Sequence, residues 1–203
     1  AMLYYLLVNG SSSLGELAGL LWSDMPEEAA RKNLRNALYL FKKVVDEDVI
    51  LMPSRSVLLL NSRLIRSIDV QRLSSGTEAV MDLYGGDFLA DFCCKDAALF
   101  SEWAEQMREH LREEYIRCLT SHIVANMKVK KYNQAKLFLN KLILTDEYNE
   151  GAYRTLMRIY EAAGEYNKVI DIYHQLKSRL QSELGIAPDK ETTGIVERVK
   201  SRK

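Results

Sequence analysis

PEEAARKNLRNALYLFKKVV, residues 26–45, has the period of an amphipathic helix. Steps of 100° per residue gather Ala30, Leu34, Ala37, Leu38, Phe41 and Val45 on one side. The opposite side collects Lys32, Arg35, Asn36, Tyr39 and Lys43. Pro26 stands where a first helical turn tolerates proline, and Glu27 and Glu28 follow at the end of the dipole that favours acids. The apolar half must pack inward. The other half is a cationic, hydrogen-bonding surface.

Upstream, residues 2–9 read as the end of an apolar helix, broken at Asn9-Gly10. Ser13-Leu14-Gly15-Glu16 has the spacing of a capping box, and Leu14, Leu17, Leu20 and Leu21 make one stripe of a short helix that Trp22 closes. Downstream, the acidic stop Asp46-Glu47-Asp48 ends the helical period. Two short apolar runs, 49–52 and 56–60, flank Pro53-Ser54-Arg55 and predict a β-hairpin. Nowhere else does the chain read as strand.

From Asp69 onward the period is helical throughout. Helices are expected over Asp69–Tyr84, with an interruption near Ser74-Ser75-Gly76, then over 97–129 (one long or two abutting), 132–145, 149–163 and 166–184. Gly85-Gly86-Asp87 breaks the first from the second, and Gly164 and Gly185 stand where a helix C-terminal glycine belongs. An internal echo runs through this part. Tyr132-Asn133 recurs as Tyr166-Asn167, Ala135 as Val169 and Leu142 as Leu176, all at one offset. That offset, about 34 residues with two helices per unit, is the tetratricopeptide spacing, in which stacked hairpins bury a shared core.

The bulk numbers bound the class. With 203 residues, 47% hydrophobic and 28% charged, the chain reads as a soluble globular protein. It has no run long enough to span a membrane, and its apolar start lacks the basic flank of a signal peptide. A cytosolic protein is expected. Cys93, Cys94 and Cys118 have neither an even count nor a metal-ligand spacing, so they read as buried or half-buried thiols. Formal net charge is zero, but it is unevenly spread. Arg31, Lys32, Arg35, Lys42, Lys43, Arg55, Arg63 and Arg66 face only Asp46, Glu47 and Asp48 within residues 31–66. Such a segment suits phosphate contacts from one small module.

Enzymatic chemistry is not expected. His110, His122 and His174 are far apart and lack a zinc-ligand spacing. Glu113-Glu114 and Glu27-Glu28 are sequence neighbours on different sides of a helix, so neither is an acid/base pair. Gly85-Gly86-Asp87 lacks the lysine of a phosphate loop. No catalytic residue, metal site or cofactor is assigned. Trp103, Tyr115, Tyr132, Tyr153, Tyr160, Tyr166 and Tyr173 read mostly as packing between repeat units, and Lys200, Arg202 and Lys203 as a frayed, solvated end.

Three segments carry a family resemblance. LAGLLWSDMPEEAARKNLRNALYLFKKVV resembles the second and third helices of the winged-helix domain of antibiotic-regulatory-type bacterial activators. YGGDFLADF with LFSEWAEQMREHLREEYIRCL resembles the opening of their bacterial transcriptional activation domain, and YHQLKSRLQSELGIAPDKET its last repeat and tail. The resemblance implies a mainly α fold. A partial winged helix-turn-helix with a β-hairpin wing (1–66) would precede a tetratricopeptide-like activation domain (67–203). It implies that helix 26–45 is the recognition helix, with Lys32, Arg35, Asn36, Tyr39 and Lys43 facing a groove and Arg55 at the wing tip. It also implies promoter DNA, RNA polymerase and a second copy as partners. The family's winged helix opens with several strands that this stretch lacks, so the sheet is expected to be incomplete, with a hairpin edge open to pairing. A protein-binding tetratricopeptide scaffold without DNA binding is the alternative.

Overall fold

The apolar residues at the start form α1 (Met2–Asn9), which Gly10 ends at a φ of 77°, in the region that favours glycine. Ser11–Ser13 is a short strand, β1, and its last residue caps α2 (Leu14–Leu21). The capping box forms in full: the Glu16 backbone N–H donates to Ser13 Oγ at 3.0 Å, and the Ser13 N–H donates to Glu16 Oε2 at 3.4 Å. Next come α3 (Glu27–Val44) and the hairpin β2 (Ile50–Ser54) with β3 (Val57–Leu60). The short helix α4 (Asp69–Leu73) and the long α5 (Ala98–Lys128) follow. The chain is seen here in a computed structural model that describes residues 1–45, 48–63, 69–73 and 84–202. It divides into two units, Ala1–Glu114 and Tyr115–Lys203.

Leu6, Leu17, Leu34 and Leu58 form the centre of the first unit, one each from α1, α2, α3 and β3. Ile50, Leu60 and Phe100 complete it. Full burial of such side chains contributes about 1.5–3 kcal/mol each. On α2 the inward stripe is Leu14, Leu17, Ala18 and Leu21, while Leu20 is only partly covered. Residues 84–104 join this core through rings. Tyr5 meets Trp103 at 4.9 Å, Tyr4 meets Phe92 at 5.0 Å, and Phe100 meets Trp103 at 5.3 Å between centroids. Arg108 holds the turn after Gly86, donating from Nε to Phe88 O (2.7 Å) and from Nη2 to Leu89 O (2.9 Å).

Several expectations need correction. The hairpin is not the whole sheet: β1 pairs antiparallel with β3, Ser12 opposite Leu58, giving the order β1-β3-β2. Three serines carry no hydrophobic alternation, so pairing rather than propensity makes this strand. Both edges of β3 are therefore filled, and the outer strand β2 carries Pro53 and a register irregularity between Leu51 and Ser54. Both features discourage strand addition. The hairpin turn is Arg55-Ser56, with Ser54 still paired to Val57. Of the helix expected over Asp69–Tyr84, Asp69–Leu73 is helical and Tyr84 is not, while the interruption at 74–76 lies outside the described residues. So do Asp46 and Glu47 of the acidic stop, and Arg66 and Lys203. Cys93 is exposed rather than buried.

The second unit holds α6 (Tyr132–Thr145), α7 (Glu150–Ala162), α8 (Tyr166–Arg179) with a π-helical turn over Leu180–Leu184, and α9 (Lys190–Lys200). The 34-residue echo extends into the backbone. Lys131 and Glu165 cap α6 and α8 with nearly the same angles (φ −81° and −84°, ψ 63° and 58°). The N–H groups of Lys130 and Lys131 bond Met127 O and Asn126 O, and those of Gly164 and Glu165 bond Glu161 O and Tyr160 O. Ala135 and Val169, Leu142 and Leu176 are all buried.

α9 carries the chain to Lys200, whose side chain is exposed, as expected of the end. Its Ile195, Val196 and Val199 pack with Met157 and Val169, and Thr192 is fully buried beneath them. The Thr192 hydroxyl donates to Glu150 Oε2 at 2.7 Å and accepts from Arg154 Nη1 at 3.2 Å, while Arg154 also pairs with Asp189. Arg202 is exposed, as expected, and also reaches Glu161 at 3.6 Å.

Candidate nucleic-acid interface

α3 turns Ala30, Leu34 and Leu38 fully inward and leaves Phe41, Ala37 and Val45 half-buried. Lys32, Arg35, Asn36, Tyr39 and Lys43 are all exposed on the outer side, as a helix with one apolar stripe requires. Among the described residues no carboxylate pairs with Lys32, Arg35 or Lys43, so their charge is uncompensated by short contacts. Lys43 Nζ lies 4.7 Å above the Tyr39 ring centroid, which orients both side chains. The neighbouring cations are spent locally: Arg31 pairs with Glu27 at 2.5 Å, and Lys42 with Asp48 at 3.5 Å. Arg55 is exposed in the hairpin turn, and no hydrogen bond or ion pair ties it to α3.

The face is held in place from below. Arg31 lies over the start of α2, where a Cβ on Gly15 would stand 3.1 Å from its Nη2, so the guanidinium rests directly on the Gly15 backbone. Glu16 fixes α2 to α1 and β1. Its Oε1 accepts from Tyr5 Oη at 2.9 Å and its Oε2 from Ser12 Oγ at 2.8 Å. Those two bonds, with the Ser13 N–H, hold the Glu16 carboxyl below the usual carboxylate range against the opposing effect of burial. Burial, and then the bond to Glu16, push the Tyr5 hydroxyl up to about 12.

Two exposed apolar side chains escaped the sequence reading. Leu40 is 61% exposed and Val44 84% exposed, and both flank the cationic row. Among the described residues no group of three or more His, Cys, Asp or Glu could hold a metal ion, and no helix is long and apolar enough to cross a membrane.

The profile of the bacterial transcriptional activator domain matches residues 59–200, from within β3 to the end of α9. The chain belongs to that family. In this bacterial transcriptional activator domain protein, the matched stretch takes in α6–α9 of the second unit, while the α3 face lies ahead of it. No curated protein matches the chain. Among solved structures, Mycobacterium tuberculosis EmbR in complex with a low-affinity phosphopeptide is similar in fold. It gives a TM-score of 0.59 at 18% identity, over 100% of this chain and 59% of that one. The activator domain protein therefore spans less than two thirds of the length of that structure.

Proposed function

We propose that the chain is a DNA-binding transcriptional activator of the antibiotic-regulatory type, acting without enzymatic chemistry in the cytosol. In this reading residues 1–66 are a winged helix-turn-helix, with α3 as recognition helix and β2–β3 as wing. Residues 67–203 are the activation domain, whose tetratricopeptide-like hairpins contact RNA polymerase and a second copy of the chain. One observation carries the reading: in a member of an activator family, α3 packs one side into the core through Ala30, Leu34 and Leu38 and presents Lys32, Arg35 and Lys43, unpaired with any carboxylate among the described residues, on the other.

The mechanism is positioning. Lys32, Lys43 and Arg55 neutralise phosphates and set the register of the helix on the duplex, while Arg35 and Asn36 carry the fork and amide geometries that suit guanine and adenine edges. With the helix seated, the repeated hairpins are held beside the promoter as a docking surface for polymerase.

Anisotropy titrations of a labelled duplex at several salt concentrations test this. Affinity should fall linearly on logarithmic axes with salt. The double variant Lys32→Ala/Arg35→Ala should lose about two phosphate contacts' worth of slope, roughly 1.8 on that plot if both residues touch phosphate, and at least half that if Arg35 spends its charge on a base. An unchanged affinity and slope would refute the assignment of α3. The matched backbone of the two hairpins favours a second reading, a scaffold that binds protein alone. Capture of polymerase without any salt-dependent duplex binding would select it.

A further inference from the structure

Leu40 and Asn36 lie one helical turn apart on the same row of α3, and Ala29, also exposed, precedes them on that row. Leu40 keeps 61% of its surface in solvent although its neighbours Leu38 and Phe41 turn into the core. On one flank stand Lys32 and Lys43, neither of them paired with a carboxylate among the described residues. A partner that meets these lysines and Leu40 together would be anionic at close range and offer a hydrocarbon group between its charges. In the major groove of duplex DNA the thymine C5-methyl is that group, and the phosphates on either side supply the charge.

We propose that Leu40 is a specificity-determining residue that packs on a thymine methyl beside an adenine held by Asn36. The proposal rests on the reading of α3 as recognition helix. Four residues of helix rise about 6 Å and successive base pairs about 3.4 Å, so the thymine lies within two base steps of the adenine. The adenine is bonded through its N7 and N6 amino group by the Asn36 amide. The preferred site thus contains an A·T-rich step opposite the middle of α3, and a guanine opposite Arg35 extends it on the other flank.

The test begins with selection of a binding site by the full chain from a random duplex library. Each thymine of the selected site is then replaced singly by deoxyuridine, which removes one methyl and nothing else. Wild type should lose about fourfold in affinity at one thymine near the Asn36-dependent adenine, the value for one buried methyl group. Leu40→Ala should bind the thymine and deoxyuridine duplexes equally, with an unchanged salt slope. Three results overturn the proposal: enrichment of no site, a selected site in which every deoxyuridine duplex binds like its parent, or methyl sensitivity that survives in Leu40→Ala. All three leave the phosphate contacts of α3 to be judged separately, by the salt slope of the Lys32→Ala/Arg35→Ala variant.

Discussion

Tyr5 links three elements of the first unit: its ring lies 4.9 Å from Trp103 in α5, and its hydroxyl donates to Glu16 in α2. Tyr5→Phe keeps the ring and removes only the donor. Glu16 retains Ser12 and the Ser13 N–H and has access to water, so the loss is about 1 kcal/mol. Urea unfolding followed by tryptophan emission measures it. The same variant has a spectroscopic signature. Tyr5, its hydroxyl pushed up to about 12, should add to the late part of the alkaline absorbance titration, and Tyr5→Phe should lose one of the eleven tyrosines from that part; an unchanged late part would reassign the hydroxyl. At this scale the sequence was informative wherever a pattern is local. Ser13 and Glu16 sit in one turn of chain, so their spacing alone announced the capping box. The Tyr5 partner, eleven residues from Glu16, has no such signal.

The repeated turns of the second unit set a matched comparison between elements. Lys130 adopts a φ of 58° and its counterpart Gly164 a φ of 73°. A side chain costs roughly 1–2 kcal/mol in this region of backbone space. A Cβ at Gly164 would meet nothing within 4 Å, so Gly164→Ala should lose about 1 kcal/mol from conformation alone, and Lys130→Gly should gain somewhat less, since glycine is freer when unfolded. Thermal melts of both variants check the opposite signs; two shifts of the same sign would contradict the equivalence of the turns. Long periodic helices such as α3 and α6–α8 were legible because one apolar stripe recurs every 3.6 residues. β1 and α9 were not. Ser11–Ser13 is a strand only because β3 offers it partners, and the first half of α9 carries Thr192-Thr193-Gly194, poor helix formers that packing overrides. The Asp189 cap ahead of Ile195, Val196 and Val199 was the usable signal. The site itself was half visible: periodicity separates the two sides of α3, but whether Leu40 meets a neighbour depends on tertiary contacts.

Over the whole molecule, acid sensitivity is built from carboxylates held ionised in each unit. In the first, Glu16 is held low by Ser12 and Tyr5; in the second, Asp189 is held low chiefly by the Thr192 backbone N–H, with its hydroxyl and Arg154 adding to it. A carboxyl group whose folded pKa lies below its unfolded value binds fewer protons when folded. Its contribution is therefore full above the unfolded value, near 4 for both groups, and is lost as pH falls through the lower folded value. Stability should thus decline from about pH 5 downward. The two tryptophans, Trp22 and Trp103, both belong to the first unit, so emission isolates the Glu16 share. Glu16→Gln cannot titrate; it should be less stable at pH 7 and show a flatter emission-monitored decline between pH 5 and 3 than wild type. Parallel declines would mean that other carboxylates govern the acid limb of that unit. Asp189→Asn acts in the unit without tryptophan, so its flattening belongs in helical ellipticity, where the helices of both units are counted.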